Sequence, residues 1–335
     1  MKHFFSRGLL LLAATAACTH SADPIQPTPD YVEDGPCSVL PDPGPLGWQH
    51  EPHTLFRQQP ALNPTNAEEV AYVAFVTDTM GIDRSGLYKE SLRTRQVTRL
   101  NQSATYNRLH WSSRGDLLFL NQGRLWRITA TGDSLRQVPG LPGSIGTFAL
   151  SPDGRQLAYT VAGGTYQAAA LWLTPLAGGT PRLLATPGYW PQLTLAWAAD
   201  GQRLAFGAYP VGTGATPNLP HTLCTLHVGT GTFAAAPAPL PFPVQSLQWH
   251  PNGTDVFWAG GRHLYREPLA NGAARQQLRE GCQTRSFQSV GPVPGQPRLL
   301  VLRINSSAPT PGLLKQETVL ETMSYDGQQV LQVSP

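Results

Sequence analysis

The chain has 335 residues, of which 13% are charged and 41% hydrophobic, and it contains 33 Gly and 32 Pro. This composition excludes a largely disordered chain, and the abundance of Gly and Pro favours many turns over long helices. The formal net charge is only +3 and no run of basic residues occurs, which argues against a nucleic-acid partner.

Residues 1–17 are predicted to be a secretory signal peptide. Lys2 and Arg7 precede an apolar stretch that is too short to span a bilayer. Small residues stand directly before Cys18, an order that resembles a bacterial lipoprotein processing site, although Thr15 departs from the aliphatic residue usual at that position. The resemblance implies that Cys18 becomes the first mature residue and carries lipid. Secretion without a lipid is the alternative.

The same resemblance implies a location. Thr19, the residue after the cysteine, is not acidic, and in the sorting pattern of bacterial lipoproteins this favours the outer membrane. We therefore expect an outer-membrane lipoprotein of the bacterial envelope, either periplasmic or surface-exposed. Its membrane contact would be the lipid anchor alone, because no other segment of the sequence is long and apolar enough to span a bilayer.

Residues 18–52 are predicted to form a lipid-anchored tether. Eight prolines between positions 24 and 52 exclude helix and central strand, so the segment is expected to be extended. Val39, Leu46 and Trp48 indicate that the later half of the tether packs on the folded body.

Three cysteines remain after the lipidation site. An oxidising compartment permits one disulfide bond, and the expected pair is Cys37 with Cys282, because both lie in loop-like surroundings. That bond would join the tether to the body. Cys224 lies in a strand pattern and is predicted to be a small buried hydrophobic residue. No spacing of Cys and His is typical of zinc, and we predict neither a metal nor another cofactor.

A short pattern recurs along residues 53–335. Each copy places a tight glycine turn before a short apolar strand, as in a β-hairpin. The turn glycines are Gly115, Gly154, Gly201, Gly253 and Gly295, which are separated by 39, 47, 52 and 42 residues. A second strand–turn–strand signature follows each copy and occurs six times. Four strands in each repeat predict an all-β fold, a six-bladed β-propeller of four-stranded antiparallel blades.

The copies at 151–159 and 198–206 resemble the repeat of TolB-like six-bladed propellers, which are related to the WD-type repeats. The resemblance covers residues 53–335, although the other copies are degraded. It implies the fold and a platform that binds a protein partner, whereas the repeat itself is structural and the fold hosts many activities. Whether the two ends of the ring exchange a strand stays open.

Two recurrent residue types within the repeat are interpreted as structural. Trp111, Trp197 and Trp249 each stand four residues before a turn glycine and are predicted to pack between blades. Asp153 and Asp200 recur at equivalent turns. A functional site gathers dissimilar groups, whereas repetition indicates that these carboxylates shape the turns.

The up-and-down order of strands in each blade predicts that the two faces of the propeller differ. The first-to-second and third-to-fourth turns share one face and are short, whereas the second-to-third loops and the blade-to-blade connections share the other. Long loops of this second kind are predicted at 77–85, 161–170, 208–220 and 305–315. Variable loops on a rigid scaffold are where binding residues concentrate, so the loop-rich face is the predicted binding face.

Aromatic residues of the loop-rich face are the candidate binding residues, since such side chains anchor protein and glycan interfaces. The candidates are Tyr106, Tyr166, Tyr189, Trp190, Tyr209, His221 and Phe242. The competing interpretation is that each packs only its own loop. Within this set, the adjacent pair Tyr189 and Trp190 is the most specific prediction of a binding site.

The leading function is a monomeric, non-catalytic envelope lipoprotein that binds a protein or peptide partner through its loop-rich face. The alternative is a carbohydrate-binding module, or a hydrolase- or lyase-type enzyme, that uses the central funnel. No catalytic residue is assigned, because residues 142–146 lack the first glycine of a serine-hydrolase elbow and acids are sparse in the long loops. Convergent carboxylates and histidines in the funnel would favour chemistry.

Overall fold

A computed structural model describes residues 39–43, 47, 49–50, 55–76, 84–102, 106–161, 169–211, 221–269, 273–310 and 312–334. These residues form 25 strands in six sheets. The first strand of each sheet contacts the first strand of the next, and the sixth contacts the first, so the sheets form a closed ring. The predicted six-bladed β-propeller of four-stranded antiparallel blades is confirmed.

The first three blades are meanders in which each strand pairs with the next along the chain. The chain enters through β1 (Gln49–His50). Blade one contains β2 (Phe56–Asn63), β3 (Asn66–Phe75), β4 (Gly86–Ser91) and β5 (Val97–Asn101). Blade two contains β6 (Tyr106–Trp111), β7 (Leu117–Asn121), β8 (Arg124–Ile128) and β9 (Arg136–Gln137). Blade three contains β10 (Ile145–Leu150), β11 (Gln156–Val161), β12 (Ala170–Pro175) and β13 (Arg182–Leu184).

The remaining blades follow the same order. Blade four contains β14 (Tyr189–Trp197), β15 (Arg203–Pro210), β16 (Thr222–His227) and β17 (Phe233–Ala235). Blade five contains β18 (Ser246–Trp249), β19 (Asp255–Gly260), β20 (His263–Pro268) and β21 (Gln276–Arg279). Blade six contains β22 (Arg285–Pro292), β23 (Arg298–Thr310), β24 (Leu313–Ser324) and β25 (Leu331–Ser334).

The hydrophobic core lies between the blades. It comprises six clusters, and each cluster combines residues of two neighbouring blades. The second strand of a blade is covered on both sides, which explains its continuous apolar run. In β7, Leu117, Leu118 and Phe119 are all 0% exposed.

Three tryptophans connect neighbouring blades through hydrogen bonds as well as through packing. Each indole Nε1–H donates to a backbone carbonyl on the first strand of the preceding blade. The bonds run from Trp111 to Ala61 at 2.9 Å, from Trp197 to Ala149 at 3.1 Å and from Trp249 to Ala196 at 3.1 Å. The predicted inter-blade role of these tryptophans is confirmed.

The repeated aspartates shape the turns, as the sequence indicates. The Asp153 Oδ1 accepts the Ser151 hydroxyl at 2.5 Å and the Arg155 N–H at 3.0 Å. These two bonds hold the pKa of Asp153 below its usual value. Gly154 has φ +68°, the left-handed conformation that glycine adopts without strain. Asp200 in blade four likewise accepts backbone N–H groups of its turn, from Gln202 at 2.8 Å and from Arg203 at 3.2 Å.

The ring closes with the help of the segment that precedes blade one. Strand β1 pairs in parallel with β24 at residues 313–314, while β25 pairs antiparallel with β24 at residues 320–322. Both strands therefore lie along one edge of β24. The sheet of the last blade thus includes residues 49–50, which fall within the segment predicted as tether.

A buried polar cluster joins blade one to blade six. The Arg57 N–H donates to the Thr318 Oγ1 at 2.9 Å, and the Arg57 guanidinium lies 3.3 Å from the Glu90 Oε2. The Tyr72 hydroxyl donates to the same Glu90 oxygen at 2.9 Å. Arg57 and Glu90 are only 3% and 2% exposed, so their opposite charges compensate each other inside the protein.

The later part of the predicted tether contacts the body at Leu40, whose N–H donates to the Gln283 Oε1 at 2.8 Å. The expectation that Val39 packs on the body is wrong, because its side chain is 78% exposed. Leu46, Trp48, Cys18 and the signal peptide lie outside the described residues.

The cysteines have two environments. Cys224 is free and fully buried, as predicted, and burial raises the pKa of its thiol to about 12. Cys282 is disulfide-bonded. Cys37 lies outside the described residues, so its pairing with Cys282 stays a prediction.

One predicted loop is wrong. Residues 305–315 were expected to form a loop, but β23 continues to Thr310 and β24 begins at Leu313, with the two strands paired from Arg298–Ser324 to Thr310–Leu313. The pairing of β1 with β24 supports this extension. The loop segments 77–83, 162–168 and 212–220 lie outside the described residues. In the described ranges, no helix has the length and hydropathy needed to cross a membrane.

We expect Glu90→Ala to lower the free energy of unfolding by about 3 kcal/mol, because it removes from the buried cluster the carboxylate that both the Arg57 guanidinium and the Tyr72 hydroxyl contact. Urea unfolding followed by tryptophan fluorescence measures the loss. The matched control is Glu68→Ala, which breaks an ion pair to Arg93 whose side chains are 53% and 73% exposed. That change should cost less than about 1 kcal/mol. Equal losses in the two variants would contradict a role of the buried cluster in closing the ring.

Candidate functional site

A funnel runs along the propeller axis and has a volume of about 1060 Å³. The first strands of all six blades contribute to its wall. Phe75 and Tyr209, at or next to the last residues of β3 and β15, and Ile304, in the middle of β23, also line it. The funnel therefore extends to the loop-rich face.

Irregular pairing shapes the funnel wall. Register shifts interrupt the first strand in five of the six blades. A β-bulge inserts an extra residue and redirects side chains, so residues at these positions reach the axis. Gln59 and Arg108 occupy two of the bulges with φ +52° and +57°. Non-glycine residues in this conformation cost about 1–2 kcal/mol and occur often at functional sites.

Glutamine is the most frequent lining residue. The seven are Gln58, Gln59, Gln192, Gln245, Gln248, Gln288 and Gln316. Gln59 accepts the Arg108 N–H, and Gln316 donates to the Ser306 hydroxyl at 3.2 Å. Within the described part of the chain, the side chains of the other five form no hydrogen bond to protein. A primary amide both donates and accepts, so these groups are available to a polar ligand.

The titratable groups of the funnel are few. No Asp or Glu occurs among the described lining residues, which include Arg57, Arg108, His110 and His221. Burial lowers the pKa of His110 to about 4 and also lowers that of His221, so both imidazoles are neutral at pH 7. Among the described residues, no group of three or more His, Cys, Asp or Glu is placed to hold a metal ion.

The chemical character of the described lining is therefore polar and nearly uncharged. It offers amides, hydroxyls and neutral imidazoles, which bind polar groups. It brings together no carboxylates of the kind that act as general acids and bases in hydrolysis. The arrangement is better suited to binding than to proton transfer.

Three of the predicted site residues lie together in blade four. Tyr209 and His221 line the funnel, and their ring centroids are 4.5 Å apart. Trp190 on β14 pairs directly with Tyr209 on β15. Trp190 and Tyr209 are partly buried and His221 is buried. Tyr209 and His221 therefore line the blade-four side of the funnel, while Trp190 lies beside Tyr209 without being a lining residue; we call these three residues the blade-four rim.

The other predicted residues have different surroundings. Tyr189 packs on Phe233 at a centroid distance of 5.6 Å, in the core between blades three and four. Phe242 stacks on His263 at 5.5 Å. Tyr106 begins β6, but its side chain is not described, and Tyr166 lies outside the described residues.

The sequence interpretation missed the glutamines and Arg108. A signal was present, because Gln recurs in first-strand segments at positions 58–59, 192, 248 and 288. Its meaning depends partly on the bulges, which contain three of these lining glutamines, Gln59, Gln192 and Gln288. Those bulges have no clear signature in the residues.

No protein-family model and no curated protein sequence matches the chain. Solved structures do match. A TolB-type protein from Agrobacterium tumefaciens superposes with a TM-score of 0.56 and 20% identity, over 73% of this chain and 86% of that one. The chain has a TolB-like fold. The resemblance seen in the repeat is thus confirmed for the architecture.

Other propellers share the TolB-like fold at lower identity. The nidogen/laminin complex matches with a TM-score of 0.51 and 12% identity, over 68% of this chain and 80% of that one. An oligogalacturonate lyase solved with manganese matches with a TM-score of 0.50 and 14% identity, over 82% and 92%. Similarity at this level establishes the fold alone.

His110 should make the stability of the protein depend on pH. Its folded pKa of about 4 lies below the usual 6.5, so protonation favours the unfolded state. This contribution is complete above pH 6.5 and is lost as the pH falls towards 4, by up to about 3 kcal/mol. Urea unfolding of wild type and His110→Gln across this range measures the difference. If the stability of the variant depends on pH as steeply as that of wild type, the assignment of His110 as a neutral imidazole is wrong.

Proposed function

We propose that the protein is a non-catalytic binding scaffold of the bacterial envelope, which holds a protein or peptide partner in its central funnel and on the loop-rich face. The observation that carries this proposal is the set of five uncommitted glutamine amides in a funnel whose described lining contains no carboxylate. Catalytic residues have no evident counterpart in that lining, whereas binding groups are abundant.

A peptide segment suits the chemistry of the funnel. An extended peptide presents N–H donors and C=O acceptors along its length, and a glutamine amide pairs with either. The funnel volume of about 1060 Å³ is at the upper limit of ordinary small-molecule pockets, which span roughly 300–1,000 Å³. The aromatic rim of Trp190, Tyr209 and His221 would supply anchoring contacts at the entrance.

The structural neighbours support a platform role by analogy. One neighbour is a TolB-type propeller, and another is described as part of a complex between nidogen and laminin. The envelope location rests on the leader, with residues 1–17 as signal peptide and Cys18 as lipidation site. A monomer held only by its lipid anchor remains part of the proposal.

An oligosaccharide is the second candidate ligand. Amides and hydroxyls also bind sugar hydroxyl groups, and one structural neighbour is a lyase that acts on oligogalacturonate. The lyase alternative would need a general base, whereas the described lining offers only the neutral imidazoles of the half-buried His110 and the buried His221, and no carboxylate. The peptide hypothesis is therefore favoured.

The test is affinity capture from detergent-solubilised envelope with the double variant Gln192→Ala/Gln248→Ala, which removes two free amides from neighbouring blades. We expect the amount of captured partner to fall at least about tenfold, because each lost hydrogen bond costs about 1 kcal/mol and the remaining polar groups lose partners. Mass spectrometry identifies and quantifies the partner.

The matched control is Gln156→Ala, which removes an exposed glutamine at the start of β11, on the short-turn face. Wild type and this control should capture equal amounts, and all three proteins should have the same thermal midpoint. Equal capture by the double variant, or capture of no partner by wild type, would contradict binding in the funnel.

A further inference from the structure

Arg108 differs from every other described lining residue of the funnel because its positive charge has no counterion among the residues that the structure describes. Within those residues, its guanidinium forms neither an ion pair nor a hydrogen bond. The other lining arginine, Arg57, is compensated by Glu90 at 3.3 Å. Since the two histidines are neutral at pH 7, Arg108 alone determines the sign of the charge in the described lining.

An irregular backbone conformation places Arg108 in the funnel wall. The register shift between Asn107 and His110 places Arg108 in a bulge with φ +57°. Its N–H donates to the side-chain oxygen of Gln59, which lies in the equivalent bulge of blade one with φ +52°. A hydrogen bond between neighbouring blades thus joins two residues that both have strained backbone conformations. Such strain persists only where the surrounding structure fixes it.

The location of this charge is unfavourable without a ligand. Burial lowers the pKa of Arg108, since the surroundings favour the uncharged form, yet a guanidinium stays protonated at neutral pH. Arg108 is half-buried, so its charge has lost part of its hydration without gaining a counterion among the described residues, which costs free energy. An anion placed beside the guanidinium would recover that cost and gain charge-assisted hydrogen bonds.

We propose that Arg108 is the anion-recognition residue of the funnel and that the bound partner segment carries a carboxylate. This rests on the function proposed above. A guanidinium fork matches the two oxygens of a carboxylate. One positive charge among neutral amides balances a single negative charge, which suits a carboxylate better than a phosphate ester with a charge of about −1.5 to −2.

The carboxylate has two possible sources, an acidic side chain and the free C-terminus of a peptide. Both present the same group to Arg108, while the free glutamine amides would pair with the neighbouring peptide bonds. The experiment therefore needs probes that contain each source alone.

The probes are random octapeptide libraries in three forms: with Asp and Glu and an amidated C-terminus, without Asp and Glu but with a free C-terminus, and with neither. Each library is passed over immobilised protein, and retained peptides are identified by mass spectrometry. We expect wild type to retain peptides from one or both carboxylate-containing libraries and at least about tenfold less from the third. The library retained identifies the source.

Two variants of Arg108 and one control complete the test. Arg108→Gln should abolish the preference for carboxylate, and Arg108→Lys should keep it with weaker retention. Glutamine is tolerated in this backbone conformation, as Gln59 shows, and thermal unfolding verifies that both variants fold. The control is Arg114→Gln, which removes the same charge from an exposed turn on the opposite face and should behave as wild type.

The outcomes separate the two proposals. If wild type retains peptides equally from all three libraries, or if Arg108→Gln keeps the preference, carboxylate recognition by Arg108 is wrong while peptide binding in the funnel stands. If wild type retains nothing from any library but still captures a partner from the envelope, the carboxylate proposal alone fails. If neither occurs, the proposed function fails as well.

Discussion

Each blade of this propeller has two apolar faces, and only a neighbouring blade covers each of them. The fold therefore depends on closing the ring, because an open end would expose the buried strands of two blades. Three interfaces are fixed by tryptophan N–H groups that donate to a carbonyl of the preceding blade. The seam between blades six and one instead uses Arg57 with Glu90 and Thr318, and β1 extends the sheet of the last blade.

Ring closure determines where the functional groups lie. Six first strands are held around one axis, and the bulges in four of them contain the lining residues Gln59, Arg108, Gln192 and Gln288. A rigid wall of this kind presents hydrogen-bonding groups in fixed positions, which lowers the entropy lost on binding. The same wall places the rim formed by Trp190, Tyr209 and His221 at the entrance. This wall is the basis of the proposed recognition of a polar chain.

The features that could be predicted from the sequence are those that repeat. Three features recur from blade to blade: the glycine turns, the aspartates that shape those turns, and the inter-blade tryptophans. Their repetition revealed both their presence and their structural role. The features that could not be predicted depend on long-range pairing. The extension of β23 and β24 through residues 305–315 relies on β1, from the other end of the chain. The inward direction of Arg108, Gln59, Gln192 and Gln288 relies on bulges that periodicity does not show.

The central claim is that a partner enters the funnel. Hydrogen–deuterium exchange of the protein, with and without the partner captured from the envelope, tests it most directly. The account predicts protection of the first strands, above all β6, β14 and β18, and no change at the short turns around Gly154 and Gly201. Protection confined to those turns or to the outer strands of the blades would contradict it.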